Sequence, residues 1–188
     1  MVSGEAGPCE RAWLGKVIRQ MSLLTFKHYL FDWGNTLMLN DPEAIGPMHA
    51  WPSVEAMHNA VLVLKVLSES AQCHVATNAK DSTADDIKLA LNRVGLGGYI
   101  TEIFCFREIG AEKPSQLFFD HVLTTLGCNK SEILMVGDDL EKDVLGAIDS
   151  GISSVLYNPD SRPIPTGILA ITDLNQLSNA NDGLTYDR

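Results

Sequence analysis

Three short apolar runs, residues 28–31, 73–76 and 133–136, each stop abruptly at polar residues and are separated by stretches with helical spacing. Runs of this length bounded by turn-forming residues predict strands buried on both faces. Strands that alternate with helices predict a doubly wound, Rossmann-like α/β domain, a parallel sheet with helices on both faces. In such a sheet the carboxyl ends of the strands share one edge, where α/β folds bind ligands. The residues just beyond the three runs are therefore expected to converge.

Those residues are chemically reactive. The first run leads into Asp32-Trp33-Gly34-Asn35-Thr36-Leu37, the second into Thr77-Asn78, and the third into Gly137-Asp138-Asp139 with Asp143 beyond. Lys113-Pro114 lies between the second and third. Each segment alone has an ordinary reading. Acids after a strand cap the next helix and offset its dipole, Thr77-Asn78 fits a turn, and Lys113 fits a solvated lysine before a helix. The ordered set of four carries the functional signal.

That ordered set resembles the haloacid dehalogenase-like (HAD) superfamily, mostly Mg-dependent phosphatases, over about residues 28–178. The resemblance implies that Asp32 is the nucleophile, attacking phosphorus to form an aspartyl-phosphate. It implies a Mg²⁺ site built from Asp32, the Gly34 carbonyl, Asp138 and, through water, Asp143, with Asp139 helping at either shell. Thr77 and the amide of Asn78 would bind the phosphoryl oxygens. Lys113 would neutralise Asp32 and the charge that develops during transfer. Thr36 is expected to order the first loop through backbone hydrogen bonds.

One position departs from the family pattern. Two residues after Asp32 the family carries a second Asp, which protonates the leaving group and then activates water; here the residue is Gly34. General acid–base help of that kind is worth about 10²–10⁴ in rate. Its loss predicts slow turnover, a restriction to good leaving groups, an acid supplied from elsewhere, or loss of catalysis. Asp41, Glu43 and His49, in the irregular stretch after the first strand, are the expected substitutes. The alternative is a non-catalytic or regulatory protein that keeps the phosphate and Mg²⁺ site. A dehalogenase would also lack the second Asp, but it needs a cap over its substrate. A response-regulator receiver would place its acidic pair before the phosphorylated Asp, the reverse of the order here.

The spacing leaves no room for a cap. Residues 38–72 hold a Pro- and Gly-punctuated flap and one helix, expected from Ser53 to about Ser70; residues 78–112 hold one helix and one strand. A capping box of Ser82 and Asp85 is expected to open the helix there. Strands are also predicted at 103–106, 153–157 and 168–172, and helices after Pro114, after Asp139 and after Asp173. The catalytic domain is expected over residues 26–188, preceded by an extension, 1–25, with a short amphipathic helix carrying Trp13, Leu14, Val17, Ile18 and Met21 on one face. That helix offers a surface for oligomer formation.

Of the 188 residues, 45% are hydrophobic and 20% charged, ordinary for a globular domain, and the net charge is −10. The negative charge opposes nucleic acid as a partner, and the phosphorylated small molecule that the resemblance implies would need a local positive centre such as a bound metal. No run reaches the length of a membrane span. The four cysteines show no paired spacing, and Glu5 and Glu10 stand where a secretory leader would be basic. A cytoplasmic setting is expected.

Overall fold

Successive side chains of a strand point to opposite faces, and the three apolar runs use this to feed two cores. The computed structural model describes residues 26–179. In β1 (His28–Phe31) Tyr29 and Phe31 enter one core and Leu30 the other. In β4 (Ile133–Gly137) Leu134 and Val136 join the first, and Ile133 and Met135 the second. The remaining strands are β2 (Gln72–Thr77), β3 (Ile100–Cys105), β5 (Ser153–Tyr157) and the short β6 (Ala170–Ile171). All pair in parallel, in the order β3-β2-β1-β4-β5-β6.

Helices cover both faces. The first core receives Val63, Leu64 and Leu67 from α1 (Ala60–Leu67), and Ile87 and Leu91 from α2 (Ala84–Arg93). The second receives Phe118, Phe119 and Val122 from α4 (Gln116–Leu126), which follows the single turn α3 (Phe106–Ile109). Each fully buried side chain of this size contributes roughly 1.5–3 kcal/mol. Two further short helices, α5 (Gly146–Asp149) and α6 (Gln176–Asn179), flank β5 and follow β6. The doubly wound sheet is as the alternation predicts, and no cap is inserted among the described residues. The expected N-terminal amphipathic helix, with the oligomer contact assigned to it, lies outside the described residues.

Several boundaries differ from expectation. The helix expected from Ser53 begins only at Ala60, because residues 54–57 run extended against the flap. Leu39 N–H donates to Glu55 O, and Met57 N–H to Leu37 O, both at 2.9 Å. Apolar spacing at Val54 and Met57 thus reflects packing on the core from a loop. Asn59, in the left-handed region at φ 61°, turns the chain into the helix and donates its amide to both Asp173 carboxylate oxygens. The capping box is Thr83–Asp86, one residue later than expected, since Ser82 is buried and donates to Asp81. Ser115 caps α4, leaving Pro114 just ahead of the helix. β3 begins at Ile100, ahead of the expected 103, and ends at Cys105, while β6 is confined to two residues.

Candidate active site

β1 is central in the sheet, and the strand order reverses between it and β4, so the switch point lies beside the end of β1. The main chain locks this point, with Asp32 N–H donating to Val136 O at 2.8 Å. Immediately beyond, Asp32, Asp138 and Asp143 bring carboxylate oxygens within 4.8 Å of one another. The Thr36 hydroxyl, fully buried, reaches across to Asp138 Oδ1 at 3.3 Å. It ties the first loop to the third by a side-chain bond, where backbone bonds within the first loop were expected.

Lys113 enters this cluster from the segment before α4. Its ammonium is buried and meets Asp32 Oδ1 at 2.7 Å, Asp143 Oδ1 at 2.6 Å and Ala76 O at 2.6 Å. Three acceptors match its three protons. Burial alone would lower the Lys113 pKa, but the two carboxylates outweigh it and hold the ammonium charged. Asn78 fixes the backbone that delivers Lys113: its amide donates to Lys113 O and its carbonyl accepts from Lys113 N–H, both at 2.8 Å. Asn78 lines the cavity as expected, yet its side chain is committed to positioning Lys113.

Asp143 sits on a π-helical turn, Leu140–Leu145, in place of the regular helix expected after Asp139. Its side chain is 1% exposed, with Oδ1 on Lys113 and Oδ2 accepting from Asp139 N–H at 3.1 Å. Gly137 makes this packing feasible, because a Cβ there would overlap the Asp143 carboxylate. Asp139 stands apart, capping Glu141 and Lys142 N–H and pairing with the Lys142 ammonium at 2.6 Å. Burial would raise the Asp139 pKa, but Lys142 outweighs it and keeps the carboxyl below its usual range.

The cluster is electrostatically incomplete. Burial pushes the Asp32 pKa up to about 7, an effect that Lys113 only partly offsets and that Asp143 and Asp138 reinforce. Burial and the neighbouring Asp143 also raise Asp138. The three clustered carboxylates have one ammonium among them, paired with Asp32 and Asp143, leaving a formal charge of two negatives when all are ionised. Their separations allow hard oxygen ligands to share a single octahedral ion. A divalent cation fits both the charge and the donor set.

These side chains line a cavity of about 350 Å³, together with Thr77, Trp33, Asn35, Asn40, Met48, Trp51, Asp81 and Lys142. Asp32, Gly34, Thr77, Asn78, Lys113, Asp138 and Asp143, all expected at the site, are brought together there. The expected substitutes for the missing acid are not among its lining. Asp41 is exposed and accepts from Glu43 N–H at 2.9 Å, while His49 faces Asp86 at 3.4 Å. Pairing within the flap and with α2 holds these groups away. Asn40, Asp81 and Lys142 also line the cavity without belonging to the ordered set; only the position of Asp81 on the loop after β2 offered a signal in the sequence.

Residues 110–163, which carry Lys113 and the acidic loop, match the HAD-hydrolase-like family model. The chain is also similar to the structure of an uncharacterized protein from Listeria monocytogenes serotype 4b. The two share 27% identity and a TM-score of 0.72 over 82% of this chain and 96% of the other. The matched segment is similar to the HAD-like hydrolases, and the fold is theirs. The magnesium-bound HAD-hydrolase YfnB of Bacillus subtilis shares the HAD fold, with a TM-score of 0.69 at 16% identity over 84% of this chain and 99% of that one. Among its relatives, pyrimidine 5'-nucleotidase YjjG of Escherichia coli (strain K12) is 33% identical over 110 residues, 58% of this chain and 48% of its own length. Ribulose-1,5-bisphosphate 5-phosphatase of Halopiger xanaduensis is 33% identical over 120 residues, 63% of this chain and 50% of its own. The chain thus spans about half the length of these two relatives.

Proposed function

We propose that the protein is a Mg²⁺-dependent phosphohydrolase that acts on a phosphorylated small molecule through an aspartyl-phosphate on Asp32. The observation that carries this reading is the Asp32–Asp138–Asp143 cluster, two of whose carboxylates meet one buried ammonium, with two negative charges to spare. A phosphatase and a nucleotidase among the relatives support the same chemistry. Among the described residues no helix is long and apolar enough to cross a membrane. Cys73, Cys105 and Cys128 are free thiols, which supports a cytoplasmic setting.

In this reading Asp32, Asp138 and the Gly34 carbonyl hold the metal, and Asp143 acts mainly by orienting Lys113. Bound Mg²⁺ supplies the charge that lets an anionic carboxylate approach an anionic phosphoryl group. Asp32 Oδ attacks phosphorus, and Lys113 neutralises the carboxylate before attack and the phosphoryl oxygens during it. The Thr77 hydroxyl, already accepting from Ala79 N–H at 3.2 Å, keeps its proton for a phosphoryl oxygen. Gly34 favours a second reading, a Mg²⁺- and phosphate-binding protein without turnover.

A screen of phosphorylated metabolites and p-nitrophenyl phosphate, with Mg²⁺ and with chelator, separates the two. Metal-dependent phosphate release is expected, and Asp32→Asn should abolish it while leaving the thermal midpoint within a few degrees. Retained turnover in Asp32→Asn would rule out attack by this carboxylate.

A further inference from the structure

With Gly34 the HAD site lacks a proton donor beside its nucleophile, and the cavity itself narrows the choice of another. Among the described residues five carboxylates line it: Asp32, Asp81, Asp138, Asp139 and Asp143. Asp32, Asp138 and Asp143 form the cluster, with Asp32 and Asp143 on the Lys113 ammonium. Asp139 is spent on Lys142 and on two main-chain N–H groups. Asp81 is committed to neither set. Among the described residues its one hydrogen bond is at Oδ1, from the buried Ser82 hydroxyl at 3.0 Å.

Asp81 is also held in place from both sides. The start of its loop is tied by Asn78 to Lys113, and its end by the Thr83–Asp86 capping box. The residue is exposed, so a proton lost to a substrate can be regained from solvent. Asp81 and the nucleophile line the same cavity, whose volume of about 350 Å³ is that of a small-molecule site.

We propose that Asp81 is the general acid of this site, replacing the side chain that Gly34 lacks; the inference rests on the phosphohydrolase reading above. As the Asp32 oxygen bonds to phosphorus and the phosphorus–alkoxide bond breaks, the Asp81 carboxyl gives its proton to the departing oxygen, releasing an alcohol. The Asp81 carboxylate then takes a proton from the water that attacks phosphorus. The bond to Asp32 breaks, inorganic phosphate leaves, and the Asp81 carboxyl is restored. Alkyl monoesters are therefore substrates despite Gly34.

The test compares an alkyl monoester, glycerol 3-phosphate, with p-nitrophenyl phosphate, whose leaving group departs without a proton. Asp81→Asn keeps the acceptor for Ser82 and should keep the fold. In single-turnover measurements it should slow glycerol release by about 10²–10⁴ and change p-nitrophenol release by less than about tenfold, while slowing hydrolysis of the shared aspartyl-phosphate alike for both; Asp81→Glu should recover part of the glycerol release. Equal slowing of glycerol and p-nitrophenol release, or a rise in KM alone, would overturn the assignment while leaving the phosphohydrolase reading intact. So would a wild-type enzyme active on p-nitrophenyl phosphate and inactive on alkyl esters. Absence of Mg²⁺-dependent turnover on either ester and in the metabolite screen would overturn both.

Discussion

Gly34 and Gly137 show how two absent side chains shape one site. At 137 the missing Cβ is a packing necessity, because the Asp143 carboxylate occupies the space. At 34 the space is open. A Cβ there would make only ordinary contacts, 3.7 and 3.9 Å, with the Asn40 side chain. Gly34→Asp is therefore expected to fold. On the proposed mechanism, a carboxyl beside Asp32 should raise turnover of alkyl monoesters by up to about 10²–10⁴, most clearly in the Asp81→Asn background. Steady-state kinetics of the single and double variants measure this. No gain in either background would mean that the aspartate side chain is turned away from the leaving group by Asn40.

The flap is the least regular element, and a single side chain of α2 anchors it. The Arg93 guanidinium donates to His49 O at 2.9 Å, Trp51 O at 2.7 Å and Pro52 O at 3.1 Å. The Trp51 indole also donates to Gly46 O at 2.8 Å, closing the loop on itself. Because Met48 and Trp51 line the cavity, the flap's order and the cavity wall are linked. Arg93→Ala removes a charged donor from three carbonyls and should cost about 1–3 kcal/mol. Hydrogen exchange should accelerate selectively at the Ala50 and Trp51 amides, which bond within this loop. Uniform exchange across the flap and the sheet would instead indicate that the loop opens only with global unfolding.

At the scale of the molecule, the central strands carry a titratable pair that the site does not use. His28 Nδ1 and His74 Nε2 lie 3.1 Å apart across β1 and β2, and His74 is fully buried. Burial lowers the His74 pKa to about 4 from an ordinary 6.5, with His28 adding to the effect. The folded state thus favours the neutral ring. Its stabilising contribution is complete above pH 6.5 and is lost progressively as pH falls through 4, because the unfolded chain takes up the proton first. By about pH 5 the loss should be about 2 kcal/mol. Urea unfolding at about pH 7.5 and 5 should show a drop in wild type that exceeds the drop in His74→Leu by that amount. Asp32, raised by burial, acts in the opposite sense and is common to both proteins, so it cancels in the comparison.

Several features of this protein are determined by its sequence alone. Continuous apolar runs cannot be half-exposed strands, so a sheet covered on both faces follows from pattern, and the residues after those runs must meet at one edge. Asp32, Thr77, Lys113, Asp138 and Asp143 were legible for that reason, as was the absence of a cap from the short connections. Sequence spacing could not show which groups are already engaged. The extended pairing of residues 54–57 overrides a helical period, and the π-helical turn swings Asp143 onto Lys113. The Asn78 amide turns to the backbone of Lys113, and Asp41, Glu43 and His49 are held outside the cavity while Asp81 is left inside it. Each of these depends on partners distant in the chain or on a local choice between competing hydrogen bonds. Only the tertiary structure settles where such bonds go, because every buried polar group must find its partner in the folded chain at once.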